Sequence, residues 1–77
     1  MTLSISNHLD ARGLSCPMPI VKTAQAIKTI PSGSLIEVVA TDPGSVKDFE
    51  AWSRTTGNEL VERSESGGEY RFVLRRK

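Results

Sequence analysis

The hydrophobic periodicity changes repeatedly along this chain, and the order of those changes restricts the fold. Near the start, apolar and polar side chains alternate apart from Asn7; the apolar set is Leu3, Ile5 and Leu9, and the polar set is Ser4, Ser6 and His8. A period of two is typical of a half-buried strand. From Pro17 to Ile30 the spacing becomes helical, and the apolar stripe is Ile20, Ala24, Ile27 and Ile30, with Thr23 beside it. The sequence therefore predicts a strand followed by an amphipathic helix.

The second half of the chain alternates in the same way. Leu35–Ala40 is apolar on both faces and rich in β-branched residues, which predicts a central strand. A second helix follows the Asp42–Ser45 turn; either a Ser45–Asp48 capping box or Asp42 with Pro43 at the first helical position fits its start. Its apolar face holds Val46, Phe49 and Ser53, with Trp52 at the edge, and Gly57 ends it. Two more strands, Glu59–Ser64 and Glu69–Arg76, flank a Gly67-Gly68 turn.

This order, β-α-β-α-β-β, predicts an α+β fold. Because each helix has one apolar stripe, both helices should cover one face of a mixed four-stranded sheet, as a two-layer α/β sandwich. The chain has 77 residues, too few for two cores that each bury enough apolar surface. A single domain over residues 1–77 is expected.

Charge and hydropathy argue against several functional classes. The net charge is +1 and the sequence pI is about 7.9, whereas nucleic-acid-binding domains usually have a pI above about 9. No apolar run approaches the roughly 20 residues that span a bilayer, and the N-terminus lacks the pattern of a signal peptide. We expect a cytoplasmic protein that neither contacts a membrane nor binds nucleic acid directly.

The chain has one cysteine and one histidine. An internal disulfide is therefore excluded, a protein-only zinc site lacks its three or four ligands, and no metal or cofactor is expected. Cys16 is predicted at the cap of the first helix, where unpaired N–H groups and the helix dipole should lower its pKa slightly. Pro17 and Pro19 should stiffen the backbone that presents the sulfur. The alternative is an inert, buried cysteine.

Residues Leu9–Pro19 read L-D-A-R-G-L-S-C-P-M-P. This stretch resembles the L-D-x-x-G-x-x-C-P-x-P signature of the TusA/SirA-like sulfur carrier family. The similarity covers nearly the whole chain, since it continues through the Asp42-Pro43 turn, the Asp48-Phe49 pair, Trp52 and Asn58-Glu59-Leu60. The family has the same two-layer fold that the periodicity predicts.

The resemblance also implies a function. The cysteine that matches Cys16 accepts sulfane sulfur as a persulfide from a cysteine desulfurase or a rhodanese-type donor. It passes the sulfur to a downstream acceptor protein in tRNA 2-thiolation, molybdenum cofactor supply or sulfur oxidation. Such a protein is a stoichiometric carrier with sulfurtransferase-type chemistry rather than a self-contained enzyme. Some members have a second cysteine where this chain has Ser53, after Trp52, so no internal resolving thiol is expected here.

Other positions near the motif have weaker assignments. Asp10 should anchor the loop by accepting backbone N–H groups, and Gly13 can adopt a positive φ. Arg12 would offset the charge of Asp10 and could orient a persulfide, although a solvated surface arginine is the simpler explanation. Met18 should be exposed beside Cys16 as a docking contact for a partner. His8 is interpreted as a surface residue of its strand.

Two other functions compete with the carrier. One is an RNA-binding or regulatory α/β module that uses the aromatic and basic pattern of Tyr70–Lys77. The structural explanation of the same pattern is an edge strand whose solvated charges discourage aggregation. The other is a thiol enzyme or redox sensor in which Cys16 is oxidised.

Overall fold

The computed structural model describes residues 5–77, so the predicted alternation at Leu3 and Ser4 lies outside it. The elements occur in the predicted order: β1 (Ile5–Ala11), α1 (Met18–Ile27), β2 (Leu35–Ala40), α2 (Ser45–Thr56), β3 (Glu59–Ser66) and β4 (Glu69–Arg75). Neither helix in this range combines the length and the apolar character needed to cross a membrane.

The four strands form one mixed sheet in the order β1-β2-β4-β3. β1 and β2 are parallel, whereas β4 is antiparallel to both β2 and β3. Helix α1 contacts β1 and β2, helix α2 contacts β3 and β4, and the helices contact each other. This arrangement confirms the α+β sandwich with both helices on one side of the sheet.

The core lies between this sheet and the two helices. Every second side chain of β2 faces it, and Ile36 and Val38 are fully buried. Phe72 on β4 stacks against Phe49 on α2, with ring centroids 4.4 Å apart. The last strand thus places one of its two aromatic residues against the second helix, and this pair joins the two layers.

Helix α1 is shorter than predicted, and its buried stripe agrees only in part with the predicted one. The helix begins at Met18 and ends at Ile27, because Ile30 precedes Pro31 and the residue before a proline is disfavoured in the helical region. Its buried residues are Pro19, Thr23 and Ile27. Of the predicted stripe, Ile27 and Ile30 are buried, whereas Ile20 and Ala24 are only partly buried. Thr23 can be buried because its hydroxyl donates to the Pro19 carbonyl at 2.8 Å.

The last strand lies inside the sheet, so its interpretation as an edge strand is wrong. β4 hydrogen-bonds to β2 on one side and to β3 on the other. Its arginines are engaged by carboxylates of the neighbouring strands: Arg71 pairs with Glu37 and Glu62, and Arg75 pairs with Glu59. The sheet face opposite the helices therefore has ion pairs that link β4 to both neighbours.

Glu37 should make the stability of this fold pH-dependent. Its side chain is 19% exposed and accepts from His8 and Arg71, the former at 2.8 Å. These hydrogen bonds, that of His8 foremost, hold the pKa of Glu37 below its ordinary value. A folded-state pKa below the unfolded one adds stability that is present above the ordinary value of 4.5 and is lost as the pH falls through the folded-state value.

We expect the free energy of unfolding in urea to fall in acid, and to fall less steeply in a Glu37→Gln variant. Glu65→Gln is the matched control, because Glu65 is exposed and forms no ion pair within residues 5–77. Identical acid profiles for the native chain and Glu37→Gln would contradict the role assigned to Glu37.

Candidate functional site

Two loops meet at one edge of the sheet because β1 and β2 are parallel. Ala11 lies opposite Ala40 at the carboxyl ends of these strands, so the loops that follow emerge side by side. The Gly13 N–H donates to Thr41 Oγ1 at 2.9 Å, and the Cys16 N–H donates to Asp42 Oδ2 at 3.0 Å. The loop that contains Cys16 is thereby fixed against the turn that precedes α2.

Cys16 lies one residue before the cap of α1, and the predicted cap position is wrong. The N-cap is Pro17, and the Cys16-Pro17 peptide bond is cis. The Met18 N–H donates to the Ser15 carbonyl at 2.9 Å, so a turn that contains Cys16 precedes the first helical residue. The thiol is free and exposed, which excludes the alternative of a buried cysteine.

The cysteine sulfur contacts a carboxylate from the other helix. Cys16 Sγ donates to Asp48 Oδ2 at 2.8 Å. Helix α2 has Gly44 as its N-cap with no side-chain capping bond, so the predicted Ser45–Asp48 capping box does not form; Asp48 bonds to Cys16 instead. This hydrogen bond, desolvation and the charges of Asp48 and Asp42 raise the pKa of the Cys16 thiol. The prediction of a lowered thiol pKa is therefore wrong.

Asp10 and Arg12 form a compact pair beside this loop. Asp10 accepts both the Arg12 backbone N–H at 3.0 Å and its guanidinium at 2.9 Å, as predicted for a loop anchor. These hydrogen bonds lower the pKa of Asp10 to about 2. Arg12 also reaches Glu69 at 3.5 Å, so its charge is directed to carboxylates of β1 and β4. Gly13, the next residue, has a φ of 79°, a conformation that favours glycine.

Two exposed apolar side chains lie on α1, shortly after Cys16 in the chain. Met18 and Val21 are the exposed large hydrophobic residues of the described chain, at 41% and 38%. They are three positions apart on α1, a spacing that places both on one side of the helix. The exposure of Met18 is as predicted, whereas Pro19 faces inward and is buried. Exposed apolar side chains of this kind suit contact with another protein.

The Ser53 side chain forms hydrogen bonds at the C-terminal end of α2. Its hydroxyl donates to the Asn58 carbonyl at 2.6 Å and accepts the Leu60 N–H at 3.1 Å. Ser53 follows Asp48 by five residues, about 7.5 Å along the helix axis, so it lies more than one turn from the residue that contacts the sulfur. Ser53 therefore serves to join α2 to β3.

Sequence reasoning missed the contacts of Asp42 and Asp48 with Cys16. The sequence pattern assigns Asp42 to a turn and Asp48 to a helix cap, and it places both in segments that resemble the carrier family. The available signal was topological, because parallel pairing of the first two strands already places the turn after β2 beside the loop after β1. Within residues 5–77, no group of three or more histidine, cysteine, aspartate and glutamate side chains is arranged to hold a metal ion.

Comparison with known proteins assigns this chain to a family. Residues 7–76 match the family described as "Sulfurtransferase TusA". The sulfur carrier protein TusA of Allochromatium vinosum is 48% identical over 69 residues, which are 90% of this chain and 91% of that protein. The putative sulfur carrier protein YrkI of Bacillus subtilis is 44% identical over 88% of this chain and 91% of its own length.

A solved structure supports the fold independently. The crystal structure of a SirA-like protein from Desulfitobacterium hafniense superposes with a TM-score of 0.78, covering 90% of this chain and 95% of that one. Its sequence identity is 18%, so the likeness concerns the architecture alone.

Proposed function

We infer that Cys16 of this chain, which belongs to the TusA family of sulfur carriers, accepts a sulfane sulfur as a persulfide and passes it on. The observation that carries the proposal is the exposed thiol of Cys16 in the Cys-Pro-x-Pro loop. A persulfide must be reached by two different proteins in turn, and an exposed sulfur on a fixed loop meets that requirement. No cofactor takes part, because the sulfur is held covalently by Cys16 itself.

The donor is a cysteine desulfurase or a rhodanese-type protein, and the recipient is a downstream acceptor protein. Met18 lies beside Cys16 and offers an apolar contact to both partners, and Arg12 lies on the same loop with its side chain 53% exposed. The acceptor protein then uses the sulfur in tRNA 2-thiolation, molybdenum cofactor supply or sulfur oxidation. The chain acts as a stoichiometric carrier in the cytoplasm, and turnover belongs to the enzymes on either side of it.

An RNA-binding function has no specific observation in its favour. It would require a free basic surface on the last strand, but Arg75 pairs with Glu59 at 2.8 Å. Arg76 donates to the backbone carbonyls of Lys28 and Ile30. These side chains are used to hold neighbouring segments together.

Sulfur uptake can be measured directly on the reduced protein. We expect incubation with a cysteine desulfurase and cysteine to add the mass of one sulfur atom to the protein. Dithiothreitol should remove the added mass, which should map to the peptide that contains Cys16. Polysulfide and a rhodanese-type donor should be tried in parallel. If none of the three donors adds sulfur, the carrier function is wrong for this chain, and the family relationship concerns its fold.

A further inference from the structure

The contact between Cys16 and Asp48 requires a shared proton. Sγ and Oδ2 are 2.8 Å apart, and a thiolate and a carboxylate at that distance would repel each other strongly. A thiol S–H that points at the carboxylate oxygen gives attraction instead. The resting cysteine is therefore a neutral thiol with a fixed side-chain direction.

The charges around the sulfur reinforce this state. Asp42 lies in the turn before α2 and Asp48 in the first turn of α2, and the charges of both disfavour the thiolate form of Cys16. Within residues 5–77 neither of these carboxylates lies in an ion pair, although six other carboxylates do. On the loop of Cys16 itself, Arg12 pairs with Asp10 and Glu69, so its charge is already balanced.

We propose that Asp48 is a positioning residue that holds unloaded Cys16 as a neutral thiol against α2 and frees it once the sulfur is loaded. The proposal rests on the carrier function inferred above. An exposed thiolate would react with any oxidant or disulfide it met. A thiol held by Asp48 stays unreactive until the donor protein breaks the contact.

The transfer step explains why loading ends the contact. Cys16 loses its proton, and its sulfur attacks the terminal sulfur of the donor persulfide. A new S–S bond forms, the donor S–S bond breaks, and its electron pair stays on the donor cysteine, which takes up a proton. Sγ then has no hydrogen left to donate to Asp48, and the terminal sulfur lies about 2 Å beyond it. The persulfide is free to turn toward the acceptor.

The pH dependence of alkylation tests this assignment without any sulfur donor. In an Asp48→Asn variant the rate with iodoacetamide at neutral pH should rise about threefold to fivefold, as expected for removal of one nearby charge at a solvated site. The midpoint of the pH profile should move downward, while the limiting rate in alkali stays the same. Glu50→Gln is the matched control, because it removes the same charge from α2 at a residue that pairs with Arg63.

A second measurement covers the case in which Asp48→Asn folds poorly. Alkylation of the native chain should have its midpoint at higher pH than alkylation of the same chain unfolded in urea. An unchanged or upward-shifted midpoint in Asp48→Asn, or a native midpoint at or below the unfolded one, would overturn the proposal. Sulfur uptake in the desulfurase assay is a separate readout, so failure of the carrier function would be distinguished from failure of the role assigned to Asp48.

Discussion

A Cys16→Ser variant should lose sulfur uptake completely and keep its fold. The side chain is exposed and makes one side-chain hydrogen bond in the described chain, to Asp48. A serine hydroxyl can donate to the same carboxylate, so the loop remains anchored. The hydroxyl is a far weaker nucleophile toward sulfur than a thiol, because it ionises much less readily.

Intact mass after incubation with desulfurase and cysteine measures the loss, and urea denaturation shows whether the fold survives. Ser53→Cys in the Cys16→Ser background is the matched control, since it restores one thiol at the opposite end of α2. That thiol should not restore uptake, because Ser53 is only partly exposed and its hydroxyl bonds to Asn58 and Leu60. Sulfur uptake that persists in Cys16→Ser would show that the sulfur binds elsewhere.

Phe49→Ala should destabilise the protein by about 3–5 kcal/mol, the usual cost of removing a buried aromatic ring. Phe49 is fully buried. Its ring stacks on Phe72 at 4.4 Å and meets the edge of Trp52 at 6.4 Å. Small domains have a total stability near the lower end of the usual range of about 5–15 kcal/mol, so the variant should be largely unfolded on mild heating.

Urea denaturation followed by far-ultraviolet circular dichroism gives the free energy of unfolding for this comparison. Trp52 fluorescence is a poorer probe because the substitution removes a ring that contacts the indole. Val21→Ala is the control, since Val21 is 38% exposed and surface substitutions usually change stability by less than about 0.5 kcal/mol. A loss below about 1 kcal/mol for Phe49→Ala would mean that the ring is not central to the core.

The periodicity was sufficient to predict the order of the elements and the two-layer fold. Alternation in β1 and the helical spacing in α2 are local properties that survive in the structure. The end of α1 was less accurate, because Pro31 disfavours a helical conformation at Ile30. The buried face of α1 was also less accurate, because Thr23 is polar in the sequence and is buried with its hydroxyl bonded to the Pro19 carbonyl. The position of β4 was also wrong, since a strand with alternating arginines resembles an edge strand until its carboxylate partners on neighbouring strands are known.

In the candidate site, too, features set by neighbouring residues could be predicted from the sequence and features set by distant residues could not. Cys16 and its motif are contiguous in the chain, so the sequence alone was enough to propose the residue and to identify the family of sulfur carriers. The protonation state of the sulfur could not be predicted from the sequence, because it depends on Asp42 and Asp48, which lie 26 and 32 residues away along the chain. Hydrogen bonding and Coulomb interaction act over a few ångströms of space. Only the parallel pairing of β1 and β2 brings those carboxylates to the thiol and makes its pKa higher rather than lower.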